Sequence, residues 1–335
     1  MIKLSIGMPT HNGEHRIAES LGSILPQLSD SVELVISDNC STDKTPLIIR
    51  EVVGENPRVH YFRTDANLGM DRNFDQVVRR ARGEFVWIIS DDDHLTDPGA
   101  VKKVLEAIAA APDVAAIFAN YEGATQPIDK NYLNIDGNTF FRVTKFKSTL
   151  ASSCVINKKL WESYDLSRYY GTYWTHIGYL VRALSERNGS VLRDVLVEQI
   201  HYGQKEPRWG KSGTFFNVGI DLAKIYLHLE RLGYSREIAD QARRYVKAKN
   251  KWNIPYAKSC GLKVDKKLWN DCVHVFGAYP SFWFWDAGLL FLPAGLYRLI
   301  FAAWRGVKGM IKKLIRLFPN DSQIKIYAML GKVKR

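Results

Sequence analysis

Phe85-Val86-Trp87-Ile88-Ile89-Ser90-Asp91-Asp92-Asp93 is the stretch whose reading decides the fold. Five apolar residues read as a strand, and they run straight into three carboxylates. Working outward, Lys3–Met8 reads as a strand stopped by Pro9, Val32–Ser37 as a buried strand, Val59–Arg63 as a third and Val114–Ala119 as another. Between them Ile17–Leu28, Pro46–Val53, Asn73–Ala81 and Ala100–Ala110 carry helical spacing. Strand and helix alternating over about the first 120 residues predict a doubly wound, Rossmann-like α/β layer with a mainly parallel sheet. In such sheets ligands bind beyond the carboxyl ends of the strands. Three polar clusters fall there: Thr10-His11-Asn12, Asp38-Asn39 and the aspartate triplet.

The rest of the chain is less regular. Leu150–Ile156 and Val191–Ile200 read as strands and Thr172–Glu186 as a helix. Gly203–Thr214 reads as a loop rich in Gly and Lys, and a mostly helical part begins near residue 215. The expected organisation is a sheet domain over 1–215, a helical segment over 216–280 and a basic amphipathic segment over 281–335.

Composition narrows the function classes. The chain has 335 residues, 46% hydrophobic and 24% charged, so it can bury a core without disulfides. Its four cysteines form no Cys-x-x-Cys pair, which argues against a structural zinc site and for a reducing compartment. The N-terminal apolar run is too short for a signal peptide. The net charge is +12, but Leu296–Arg335 holds ten Lys/Arg against one acid. The remainder is nearly neutral, so a general nucleic-acid surface is not indicated and one basic segment is.

Three adjacent carboxylates at a strand end repel one another and are best explained by a cation; oxygen ligands suit Mg²⁺ or Mn²⁺. A solvated turn, with Asp97 capping the next helix, would account for them equally. Ser41–Asp43 reads as a capping turn, while Asp38 is placed to accept hydrogen bonds from a base or ribose. Asn67-Leu68-Gly69-Met70-Asp71-Arg72-Asn73 reads as a helix N-terminus whose amides and Arg72 could meet phosphates.

Taken in order, Pro9-Thr10-His11-Asn12, Ser37–Asp43, Asn67-Leu68-Gly69, Arg72-Asn73 and Ser90–Asp93 resemble family 2 glycosyltransferases with a GT-A fold. Asp71–Phe74, Ser153–Trp161 and Tyr170-Gly171-Thr172 are similar to the abequosyltransferase-like branch of O-antigen synthesis. The resemblance implies an inverting, metal-dependent transfer from a nucleoside-diphosphate sugar. It places Pro9, Thr10, His11, Asn12, Asp38, Asn39, Asn67, Gly69, Arg72 and Asp91 around the donor nucleotide, and Asp92 and Asp93 on the metal and diphosphate. Two departures stand out: Ser90 replaces the first aspartate of the family's Asp-x-Asp-Asp, and His11 replaces an aromatic residue. Where many members open a helix with Glu-Asp, the pair that removes the acceptor proton, this chain reads Trp174-Thr175-His176. His176 is therefore the candidate base, in a pKa range suited to that task; a structural histidine is the alternative, with Asp194, Glu198 or one of the triplet aspartates, Asp92 foremost, as the other candidates for catalysis. Arg208 and Lys211 in the Gly203–Thr214 loop are expected to offset charge on the leaving diphosphate.

Phe282-Trp283-Phe284-Trp285-Asp286 precedes eleven uncharged residues, Ala287–Tyr297, too short and broken to span a bilayer. In Leu296–Phe318 the apolar positions and the basic ones fall on separate helical faces, the pattern of an interfacial helix on anionic lipid. Trp283, Trp285 and Trp304 suit the headgroup level. The reading is a peripheral enzyme on the cytoplasmic membrane face, acting on a lipid-linked saccharide in surface-polysaccharide assembly. A nucleotidyltransferase and a non-catalytic, membrane-bound nucleotide-sugar sensor are the alternatives.

Overall fold

The structure is a computed structural model; it describes residues 1–123, 127–200 and 214–299. The elements of the sheet region alternate as β1 (Leu4–Thr10), α1 (Ile17–Ile24), β2 (Val32–Asp38), α2 (Thr45–Val53), β3 (Val59–Arg63), α3 (Met70–Arg80), β4 (Phe85–Ile88), β5 (Asp93–Leu95), α4 (Ala100–Ala110) and β6 (Ala116–Tyr121). Then follow β7 (Tyr132–Ile135), α5 (Gly137–Thr144), β8 (Cys154–Asn157), α6 (Lys158–Ser163), α7 (Thr175–Glu186) and β9 (Gly189–Gln199). The helices after it are α8 (Thr214–Tyr226), α9 (Arg236–Ser259), α10 (Lys266–Phe276) and α11 (Ala287–Phe291).

The nine strands form one sheet in the order β3-β2-β1-β4-β8-β6-β9-β5, with β7 also on β9. The first four are parallel, as the alternation predicts. The second half corrects the expectation of a mainly parallel sheet. There β8 runs antiparallel to both β4 and β6, and β5 and β7 run antiparallel to β9. β5, β7 and α5 were not legible: three- and four-residue strands carry too little periodicity, and β5 lies in what reads as a polar turn. Leu150–Ile156 is a strand only from Cys154, after a 3₁₀ turn at Ala151–Ser153.

Both faces of β1 are covered. Leu4, Ile6 and Met8 lie in one buried cluster with Ile17, Leu21 and Ile24 of α1 and with Val101 and Val104 of α4. On the other face Gly7 admits α3: a Cβ there would stand 3.4 Å from Val77 and 3.1 Å from Val86. Each fully buried aliphatic side chain contributes about 1.5–3 kcal/mol. The Glu33 carboxylate is buried on this sheet, but it accepts from Ser5 Oγ (2.6 Å), the Arg82 amide (2.7 Å) and Arg82 Nε (2.7 Å). Those donors hold it below the usual carboxylate range against the opposing effect of burial.

The chain divides into two compact units, Met1–Lys205 with Val218–Ala248, and Glu206–Asn217 with Lys249–Arg335. The sheet belongs to the first. Among the described residues no helix is long and apolar enough to cross a membrane. Most of the expected interfacial helix, Leu296–Phe318, lies outside the described residues, as do Arg208, Lys211 and Trp304.

Candidate active site

The carboxyl ends of β1, β2 and β4 bring four sequence-distant segments to one rim. Thr10 Oγ1 donates to Asp91 Oδ2 at 2.5 Å, joining the end of β1 to the acidic turn after β4. Gly13 makes this approach possible: a Cβ at that position would stand 2.3 Å from Asp91 Oδ2. Asn39 Nδ2 donates to Asn67 Oδ1 (2.9 Å), and Asn39 Oδ1 accepts from the Leu68 amide (2.8 Å). Asn67 Nδ2 lies 3.1 Å from His11 Nε2. Asn12 adopts a left-handed φ of 52° and accepts from the Thr42 amide at 2.8 Å. The Asn39 amide donates to the Thr10 carbonyl at 2.9 Å and Asn12 Nδ2 lies 3.4 Å from His11 Nε2, so Thr10, His11, Asn12, Asn39, Asn67 and Asp91 form one connected network, with Pro9 buried in the strand beneath.

Asp38 departs from its expected role. Its side chain is fully buried. Oδ1 accepts from the Ser41 amide (2.9 Å) and Oδ2 from the Tyr61 hydroxyl (3.0 Å), with Arg63 Nε at 3.4 Å. Both oxygens fasten the polar turn to β3, so Asp38 builds the rim rather than reaching from it. Burial, then this carboxylate, push the Tyr61 hydroxyl pKa up to about 12.

The three aspartates separate into three environments. Asp91 is spanned by Thr10 and by Arg16 Nη2, 3.4 Å from Oδ1. Asp92 is half-buried, and its carbonyl accepts from the Ile200 amide at 2.7 Å, so the end of β9 pins the turn. Asp93 is fully buried at the start of β5; Oδ2 accepts from Ser152 Oγ, Oδ1 meets no donor at full hydrogen-bond geometry, and the Gln199 side chain on the paired strand faces the carboxylate. Burial, then the neighbouring Asp92 charge, push the Asp93 pKa up to about 8. A buried oxygen without a full hydrogen bond, beside a second carboxylate, is a donor set that a divalent cation fits. Mg²⁺ and Mn²⁺ are commonly held by one or two carboxylates, with waters and substrate phosphates completing the shell. Asp92 and Asp93 would hold such an ion, which would supply charge stabilisation to a diphosphate. Among the described residues no group of three or more His, Cys, Asp or Glu is arranged for a metal. Arg16 and Ser152, which sequence reasoning missed, are a lone cation opening an apolar helix and one of two adjacent serines.

A cleft of about 430 Å³ opens beside this network between Leu68–Arg72 and Tyr170–Tyr173. Gly69 begins it with φ +82°, a conformation side chains rarely adopt. The Arg72 guanidinium stands 5.3 Å from the Tyr170 ring centroid, a cation–π contact. Asp71 faces the other way. Its Oδ2 accepts from the amides of Gly171 (2.9 Å) and Tyr173 (2.8 Å), and its Oδ1 from the amide (3.2 Å) and hydroxyl (2.9 Å) of Thr175.

His176 does not stand where a base must stand. It is 1% exposed, packed 6.1 Å from Phe74 and 5.8 Å from Trp174, with Nε2 3.4 Å from the Thr149 carbonyl. Burial lowers its pKa to about 4. The imidazole is a neutral core group, which corrects the expectation that it takes the acceptor proton. At the start of α7 the carboxylate comes from Asp71 instead, and four donors consume it.

A mixed sheet, parallel through β3-β2-β1-β4 and with both senses of pairing beyond, with polar strand ends beside an acidic turn, defines a GT-A-like α/β domain. Residues 5–158, a little under half of the chain, match the family model described as Glycosyl transferase family 2. Abequosyltransferase RfbV of Salmonella typhimurium is 26% identical over 258 residues, 70% of this chain and 77% of that one. A GalNAc(5)-diNAcBac-PP-undecaprenol β-1,3-glucosyltransferase of Campylobacter jejuni is 30% identical over 121 residues, 36% and 38% of the two chains. An uncharacterised Mycobacterium tuberculosis protein is 34% identical over 119 residues; the match spans about a third of that relative's length, 34%. Two solved structures share the fold. TarS 1–349 of S. aureus, in complex with UDP-GlcNAc, has a TM-score of 0.59 at 18% identity, covering 84% of this chain and 82% of that one. The Pyrobaculum calidifontis mannosyltransferase PcManGT, in complex with GDP-Man and Mn²⁺, has 0.53 at 17%, covering 89% and 87%.

Proposed function

We propose that this protein is an inverting glycosyltransferase that moves a sugar from a nucleoside diphosphate to a lipid-linked saccharide in surface-polysaccharide assembly. The observation that carries the reading is the junction of Thr10 with Asp91 and of Asn39 with Asn67 on one rim, beside the carboxylates of Asp92 and Asp93. The donor lies along this rim, with His11, Asn67, Gly69 and Arg72 against the nucleotide. Asp92 and Asp93 would hold Mg²⁺ or Mn²⁺, which would supply charge stabilisation to the diphosphate. The acceptor oxygen bonds to the anomeric carbon as the bond from that carbon to the diphosphate oxygen breaks. Its electron pair leaves with the nucleoside diphosphate, and the acceptor proton is released. Three parts draw support from named relatives: sugar transfer from RfbV, an abequosyltransferase, a lipid-linked acceptor from the Campylobacter enzyme with its undecaprenol-linked saccharide, and the cation from PcManGT, in complex with Mn²⁺. A peripheral position on the cytoplasmic membrane face, on anionic lipid, fits the basic C-terminal segment.

The test is a panel of UDP-, GDP- and CDP-sugars with Mn²⁺ or Mg²⁺ and lipid extract in detergent, read by nucleoside diphosphate release. One donor should turn over, chelator should stop it, and Asp92→Asn should slow it at least about a hundredfold, as removal of transition-state charge stabilisation does. Donor binding without turnover would favour a sensor; full metal-dependent activity in Asp92→Asn would remove the metal assignment.

A further inference from the structure

The second compact unit carries a hydrophobic surface that its own core leaves uncovered. Trp283 is 51% exposed, Phe284 81%, Trp285 72%, Phe291 61%, Leu296 43% and Leu299 70%. Six large apolar side chains exposed within seventeen positions exceed the scattered apolar exposure normal on a soluble surface.

The patch is built rather than frayed. Residues Phe282–Asp286 form a π-helical turn leading into α11. Phe282 and Leu290 are buried beneath it. Trp269 of α10 anchors the exposed rings, its centroid 5.0 Å from Phe291 and 6.1 Å from Trp283. The Trp283 indole N–H donates to the Gly277 carbonyl at 2.8 Å, so the ring presents apolar surface with its polar atom satisfied. Phe284 and Trp285, the most exposed aromatics, stand at the tip of the turn.

Charge identifies the occupant. Lys263, Lys266, Lys267 and Arg298 are exposed in the same unit, and Lys266 lies one helical turn before Trp269. Three acids lie nearby in sequence: Asp265 caps α10 by accepting from the Leu268 amide, Asp271 is half-buried on α10, and Asp286 is buried, so the exposed charge is mainly positive. Aromatic residues flanked by lysine and arginine are the chemistry of an anionic bilayer interface: rings among headgroups and upper acyl chains, cations on phosphate.

We propose that the turn Phe282–Phe291 inserts into an anionic phospholipid leaflet as a preformed aromatic wedge, so that lipid contact does not depend on the basic C-terminal segment alone. This rests on the reading that the acceptor is membrane-borne, and it names the residues that enter the leaflet. A partner built like a second copy of this chain would bring the same positive charge and is disfavoured for that reason.

The test uses the full chain with vesicles of phosphatidylglycerol and phosphatidylethanolamine, and with phosphatidylcholine vesicles for comparison. Tryptophan fluorescence should be quenched by lipids brominated near the headgroup end of the acyl chain, and that quenching should fall in Trp283→Phe/Trp285→Phe. Phe284→Ser/Trp285→Ser, at exposed positions that leave folding intact by circular dichroism, should lower partition onto anionic vesicles by about tenfold or more. That loss should persist in high salt, where the charge contribution is screened. Wild-type-like partition of the double variant in high salt would overturn the proposal. So would self-association, seen by sedimentation velocity and abolished by the double variant, in a wild type that ignores vesicles. The nucleotide-sugar panel in detergent keeps the two readings apart: turnover with no vesicle insertion sinks only the wedge, and insertion with no turnover sinks only the transferase reading.

Discussion

Thr175 donates both its backbone amide and its hydroxyl to Asp71 Oδ1, at 3.2 and 2.9 Å, across 104 residues of sequence. Asp71 sits in the first turn of α3 and Thr175 in the first residue of α7. Together with the Gly171 and Tyr173 amides, this makes Asp71 the anchor of the segment that faces Arg72. Tyr173 has φ 69°, an unfavourable conformation for a side chain, and the bond to Asp71 holds it there. Asp71→Ala should leave four donors unmatched, the two of Thr175 among them buried. The expected loss is about 3 kcal/mol, or about 6–12 °C in melting temperature. Asp71→Asn should cost nearly as much, because an amide nitrogen would face N–H donors. A melting temperature within about 1 °C of wild type would contradict the anchor.

His176 predicts a pH dependence of stability. Its folded pKa, about 4, lies below its ordinary 6.5, so the unfolded chain binds more protons between those values. Stability should therefore be fully present above about pH 6.5 and fall as pH drops toward 4, by about 2–3 kcal/mol from this residue. His176→Gln should flatten that part of the denaturant midpoint against pH, while nucleoside diphosphate release at neutral pH changes less than about fivefold, since a buried group touches no substrate. A loss of turnover beyond about a hundredfold with unchanged stability would return His176 to the reaction.

Gly13→Ala tests the junction of the first strand end with the acidic turn. Its Cβ would collide with Asp91 Oδ2 and press on Thr10 Oγ1 at 3.0 Å. The turn must shift, at a cost of about 1–3 kcal/mol. Mn²⁺ and nucleotide affinity should fall together, by about tenfold each, and titration calorimetry would show whether they do.

Arg72 should act in binding rather than in the chemical step. Arg72→Ala should raise the donor KM by about tenfold with kcat changed less than about threefold. Arg72→Lys should recover little, because an ammonium cannot lie flat on the Tyr170 ring as a guanidinium does. Steady-state kinetics with the donor found in the panel decide it; a fall in kcat at unchanged KM would move Arg72 to the leaving diphosphate.

The parallel half of the sheet was legible because its strands are mostly apolar runs with polar residues at their ends: Val32–Ser37 before Asp38-Asn39, Phe85–Ile89 before the triplet. β5 and β7 were not, since three or four residues carry no period and owe their pairing to β9. In the same way Asp38 and Asn39 are adjacent polar residues that no local rule distinguishes. One is fully buried with both oxygens satisfied; the other reaches Asn67.

What the sequence by itself determined was the periodicity of α/β layers, the polar residues at strand ends and the clustering of positive charge at the C-terminus, because these depend on neighbours along the chain. What only the tertiary structure decided was the state of each group: that Asp93 is buried with one oxygen lacking a full hydrogen bond, that His176 is a neutral core residue, that Asp71 caps a helix a hundred residues away, and that the rings of Phe282–Phe291 divide into buried and exposed. Burial and hydrogen-bond partners come from segments distant in sequence, and they set whether a carboxylate, an imidazole or an indole meets solvent, substrate or the core.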